Sequence, residues 1–175
     1  MKDKILINRA PVLTLWASVV AERLGYERET ALSLGQAAAG LNAQSKGRIL
    51  GIYGHPKAAL KGKVAERLAP GEVFWISLMG RGIPARKTER GIRAFIHEKQ
   101  IEPEKVLAYL TGKFGRVLPD VREAMEQLAR SMDPEMLEAK AYSLYERFRP
   151  SIPSGRRGWG AAGELDLELV RRLSG

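Results

Sequence analysis

Three prolines organise the C-terminal half of this chain. Pro103, Pro119 and Pro134 each head a stretch in which apolar residues recur every three to four positions. Proline has a fixed φ and no N–H, which suits the first turn of a helix and breaks its interior, so each proline predicts a helix start. After Pro103 the stripe is Val106, Leu110 and Phe114, ended by Gly115. After Pro119 it is Val121, Met125, Leu128 and Met132. Asp133 then supplies a cap ahead of Pro134, and Leu137, Ala141, Leu144, Tyr145 and Phe148 continue the pattern. Stripes of this kind are the core faces of packed helices.

The N-terminal 45 residues follow the same logic. A helix begins after Asn8 as cap, admits Pro11 in its first turn and stops at Gly25. Leu13, Trp16, Val20 and Leu24 mark its apolar side, with Thr14, Ser18 and Glu22 opposite, which predicts an amphipathic helix. A second helix runs from about Arg28 to Asn42 through Ala31, Leu34, Ala38 and Leu41. Its run Gly35-Gln36-Ala37-Ala38-Ala39-Gly40 is small enough to admit a close neighbour, so the two helices are expected to form a hairpin. The basic residues before Ala10 and the uncharged run 10–21 have the outline of a secretion signal, but helical periodicity argues for a folded helix and the run is too short to span a bilayer. The expected setting is cytoplasmic and away from membranes.

The junction Val20-Ala21-Glu22-Arg23-Leu24-Gly25-Tyr26, followed by Ala31 and Leu34, resembles the helix-turn-helix pattern. That resemblance implies a second helix that reads DNA. Here, however, the second helix opens on Glu27, Arg28 and Glu29 and then turns apolar, whereas base reading needs basic and amide side chains. A packing hairpin is the expectation.

Between Ser45 and Thr88 the texture changes to short β-like runs punctuated by glycine. Residues 48–53 read as a strand and 57–68 as a short helix. Residues 72–79 read as a buried strand with Trp75 in the core, and Gly80-Arg81-Gly82 turns into a partner strand over 83–87, where Pro84 indicates an edge. Thr88 reads as the cap of a helix through Ile92, Phe95 and Ile96. A basic hairpin beside helices has the architecture of winged-helix modules. Residues 149–163 are rich in Pro, Ser, Gly and Arg, and a last short helix follows near 166–173. Trp159 within this stretch reads as a plug in the domain surface, the alternative being a ring that stacks on a base. The fold class is therefore α+β and mainly helical, with an N-terminal helical hairpin, a small antiparallel β element and C-terminal helices. Residues 1–149 are expected to form one compact domain divided into 1–45, 46–100 and 101–149, with 150–175 a connection and terminal helix docked on it.

Composition narrows the chemistry. With no cysteine in 175 residues, disulfide frameworks, thiolate nucleophiles, zinc ribbons and iron–sulfur centres are excluded. His55 and His97 stand 42 positions apart and form no ligand pair, so neither metal nor cofactor is expected. No phosphate-cradling glycine-lysine loop or glycine-x-serine-x-glycine elbow occurs. Charge is the informative quantity: 29 basic and 20 acidic side chains give a net +9, and residues 46–93 alone hold 11 basic and 3 acidic, a net +8.

A segment so biased attracts polyanions. The expected function is non-enzymatic nucleic-acid binding, DNA or RNA, mainly through phosphate contacts from Lys46, Arg48, Lys57, Lys61, Lys63, Arg81, Arg86, Lys87, Arg90 and Arg93. A homodimer is compatible with this reading. One alternative is a helical protein-interaction or scaffold module. Another is a small enzyme acting on a phosphate or carboxylate substrate, with His55 as acid/base near Lys57, Lys61, Arg86 or Arg90.

Overall fold

The computed structural model describes residues 4–44, 73–96, 99–151 and 162–174. The strand expected over 48–53, the helix expected over 57–68, and Trp159 lie outside them. Among the described residues the chain is α+β and mainly helical: an N-terminal helical pair, an antiparallel sheet, then C-terminal helices.

Helix α1 (Arg9–Arg23) starts behind Asn8 in extended conformation and ends at Gly25, whose φ of 113° carries the chain out of the helix. Every residue from 11 to 21 is buried. The expected amphipathic surface helix is therefore a central one, and Thr14 and Ser18 do not face water. They face α2 (Arg28–Gln44), where a Cβ on Gly35 would stand 2.5 Å from the Thr14 carbonyl oxygen and 3.0 Å from the Ser18 nitrogen. Thr14 satisfies its own hydroxyl by donating to the Ala10 carbonyl at 2.9 Å, so a small polar face can be packed against another helix.

The three prolines sit in the first turns of α3 (Pro103–Phe114), α4 (Leu118–Arg130) and α5 (Pro134–Phe148). Asp133 caps α5 by accepting from the Met136 N–H at 2.8 Å. The predicted stripes of all three helices are buried, while Met132 lies beyond the end of α4. Arg122 on α4 pairs with Glu22 near the end of α1. Helices α1 and α5 run antiparallel, tied by three bonds to main-chain oxygens: Arg9 Nε to Pro150 (3.0 Å), Trp16 Nε1 to Ala141 (2.9 Å) and Arg23 Nη2 to Met132 (3.1 Å). None of the described helices is long and apolar enough to cross a membrane.

The sheet is an antiparallel meander of β2 (Val73–Leu78), β3 (Arg81–Thr88), β4 (Gly91–Ile96) and β5 (Lys99–Gln100). Met79 and Gly80, with φ of 54° and 78°, make the two-residue turn between β2 and β3. Strand β2 is buried on one face only: Phe74, Ile76 and Leu78 point inward, Val73 is exposed and Trp75 is half-buried opposite Pro84. Trp75 is thus not the core residue that the apolar run suggested. Strand β4 pairs with β3 over Ala85–Thr88 only, which leaves Pro84 in a stretch of β3 whose ladder partner is β2 alone, as an edge proline requires.

The helix expected after Thr88 is instead β4. Thr88 braces a tight turn, its Oγ1 donating to the Gly91 carbonyl at 2.6 Å and accepting from the Arg90 N–H at 3.2 Å. Gly91 has a φ of 116°. Beyond it the residues alternate between faces, with Ile92 and Ala94 opposite Lys87 and Ala85. A further strand pair went unread in the sequence: β1 (Lys4–Asn8) lies antiparallel to β6 (Ala162–Asp166), in register from Lys4↔Asp166 to Asn8↔Ala162. Asp166 then caps α6 (Leu167–Leu173) through the N–H groups of Glu168 and Leu169. One cluster of buried side chains extends from Ile7 to Val170.

Candidate nucleic-acid interface

Of the basic residues singled out in the sequence, Lys46, Arg48, Lys57, Lys61 and Lys63 lie outside the described residues, as do His55 and His97. Arg81, Arg86 and Lys87 stand on β3, Arg90 in the turn that follows, and Arg93 on β4. Strand geometry divides them. Because side chains alternate across a strand, Arg81 and Lys87 share a face with Ile83 and Ala85. Arg86 lies on the other face, directly opposite Arg93. The five therefore do not converge on one surface.

Arg93 leaves the proposed set altogether. Its side chain is 2% exposed. One guanidinium nitrogen, Nη2, reaches a Glu29 carboxylate oxygen at 3.2 Å and the Arg90 carbonyl at 3.1 Å, while Nη1 donates to the Ile92 carbonyl at 3.0 Å. A planar fork with several donors is suited to holding a turn and a helix start together in this way. Its charge is absorbed structurally and is not presented to a phosphate.

The partner helix explains why Arg93 is buried there. Thr30 Oγ1 donates to the Ile92 carbonyl at 2.8 Å, and the Ala94 N–H donates to Ser33 Oγ at 3.0 Å. These hydroxyls, one helical turn apart on α2, satisfy the outer edge of β4 where β5 does not reach, since β5 pairs only with Phe95 and Ile96. The start of α2 is thus occupied by the sheet, which fits a packing hairpin and not a reading helix. Threonine and serine three positions apart on an otherwise apolar helix face were the available signal for this docking.

Arg86 is held differently. Its guanidinium carbon sits 4.5 Å from the centre of the Phe95 ring, in cation–π geometry, and its Nε is buried without a hydrogen-bond partner among the described residues. Arg90 is exposed at the turn, next to exposed Glu89. Lys87 and Arg81 are half-buried toward opposite ends of β3. The acidic side chains of Glu27 and Glu29 lie near the same turn and offset part of its positive charge.

Arg93→Ala is expected to lower stability by about 2 to 3 kcal/mol in urea denaturation, because it unmakes charge-assisted bonds around a buried turn. Oligonucleotide affinity of the folded variant should equal that of the parent protein. A stable Arg93→Ala protein with weakened binding would return Arg93 to the interface.

A cavity of about 410 Å³ opens between the β2–β3 turn, at Ser77, Met79 and Gly80, and the Glu135, Glu138, Ala139 and Tyr142 side of α5. It is set apart from the basic strand residues, Arg81 excepted. Among the described residues no group of three metal-ligating side chains is gathered. Comparisons with protein-family models, curated proteins and solved structures find no match for this chain.

Proposed function

We propose that this chain is a non-enzymatic nucleic-acid-binding protein that grips the phosphate backbone through its basic middle. The observation that carries the reading is the concentration of charge, a net +8 within residues 46–93 of a chain whose total is +9. Among the described residues its contact set is Arg81, Lys87 and Arg90, with Arg86 contributing from the opposite face and Arg93 withdrawn. Such contacts position a backbone and carry no base information, so binding is expected to tolerate any sequence. The interaction-module alternative has less to stand on, since among the described residues the large exposed apolar side chains, Leu6, Val73, Leu107 and Met136, sit on four different elements. The enzyme alternative depends on His55, outside the described residues.

Replacing Arg81, Lys87 and Arg90 together with Ala is the test. Partly exposed cations add little to folding, so the melting temperature should shift by only a few degrees. Oligonucleotide affinity should fall, and its salt dependence should become shallower by up to about three phosphate contacts. Unchanged affinity in the folded triple variant would remove β3 and its turn from the interface.

A further inference from the structure

The cavity of about 410 Å³ between the β2–β3 turn and α5 has one wall that is charged without a partner. Glu135 and Glu138 both line it, three positions apart on α5, so their side chains are neighbours of like charge and repel. No basic residue stands three or four positions from either of them to relieve this, since those places hold Ser131, Met132, Pro134, Ala139, Ala141 and Tyr142. Among the described residues neither glutamate makes an ion pair or a side-chain hydrogen bond. The partial positive charge of the helix start accounts for Glu135, which lies in the first turn. Glu138 lies a turn further on and is half-buried, where that support has fallen away. The rest of the lining is mixed. Met79, Ala139 and the Tyr142 ring supply apolar surface, Ser77 supplies a hydroxyl, and no described lysine or arginine lines the cavity.

We propose that this cavity binds an aliphatic polyamine, with Glu135 and Glu138 on its ammonium groups and Met79 and Tyr142 against its carbon stem. Size decides against a bare metal ion: the volume falls in the range of small-molecule pockets, roughly 300 to 1,000 Å³. The described residues also gather no group of three metal-ligating side chains. Two carboxylates match the charge of two ammonium groups, whose N–H donors each find a carboxylate oxygen in a charge-assisted bond. The face of a tyrosine ring attracts an ammonium through its quadrupole. The methylenes between ammonium groups need apolar contact, which the flexible thioether chain of Met79 can mould to. A hydrated inorganic dication would answer the two charges and leave that apolar wall unused. The site goes beyond the nucleic-acid reading and needs nothing from it.

The test uses the full chain freed of nucleic acid and titrated with spermidine at constant ionic strength, sodium chloride being the balancing salt, with calorimetry and thermal melting as readouts. Saturable binding is expected, with the melting temperature rising along the same isotherm. Magnesium chloride at equal ionic strength should give no such rise. Glu138→Gln should weaken spermidine binding about tenfold while the ligand-free protein melts as before. Glu123→Gln removes the same charge from an exposed position on α4, outside the cavity lining, and should leave binding unchanged. Tyr142→Leu should weaken binding several-fold and Tyr142→Phe should retain it, a pattern that follows the ring face and not the hydroxyl. Four results overturn the proposal: no saturation at constant ionic strength, equal stabilisation by magnesium, undiminished binding in folded Glu138→Gln, or equal weakening in Glu123→Gln.

Discussion

Trp16→Ala is expected to cost about 3 to 5 kcal/mol of folding free energy. Trp16 has no exposed surface and heads the largest fully buried side chains among the described residues. Its ring meets Phe148 edge-on at 5.3 Å and 88°, and its N–H donates to the Ala141 carbonyl, so truncation opens a cavity at the contact between α1 and α5 and leaves a carbonyl short of a donor. Trp16→Phe keeps much of the apolar area and loses the bond, and should cost distinctly less. Urea denaturation reads both values. A loss below about 1 kcal/mol for Trp16→Ala would mean that α1 is not the central helix.

Gly35→Ala should also destabilise, and the sign is what makes it informative. Within a helix, alanine is ordinarily favoured over glycine by about 1 kcal/mol. At Gly35 the added methyl meets the Thr14 carbonyl oxygen and the Ser18 backbone, neither of which can turn aside as a side-chain tip can. The helices must separate, and overpacking of this kind costs about 1 to 3 kcal/mol after the propensity gain is overcome. A lowered melting temperature is the expected outcome. A raised one would show that α1 and α2 do not touch along this face.

What the sequence made legible, and what it hid, has a common cause. Proline and glycine act on the backbone of their own residue, so the starts at Pro103, Pro119 and Pro134 and the stops at Gly25 and Gly115 could be placed without knowing the neighbours. An apolar stripe reports periodicity but not the number of partners. Thr14 and Ser18 looked solvent-facing because they are polar, yet their small size lets Gly35 approach them, and a buried helix resulted. The spacing of Ile92, Phe95 and Ile96 suits one turn of helix or a short strand equally well, and the turn at Thr88 to Gly91 decided for the strand. The β1–β6 pair joins the two ends of the described chain, a contact for which no local pattern exists. The basic cluster was visible as a count, but a count cannot show that Arg86 and Arg93 leave one face of the sheet and Arg81 and Lys87 the other. Nor could it show that Glu29 on a distant helix would claim Arg93.

On the proposed function the charge of residues 46–93 holds phosphate backbone, and salt probes it directly. Affinity of the full chain for a labelled duplex oligonucleotide, measured by fluorescence polarisation over a series of salt concentrations, should fall linearly on a log–log plot. The slope should be roughly −0.9 for each phosphate neutralised, and steep enough to report several contacts. A second duplex of unrelated sequence should give the same line. A slope near zero, or no binding at the lowest salt, would contradict the account.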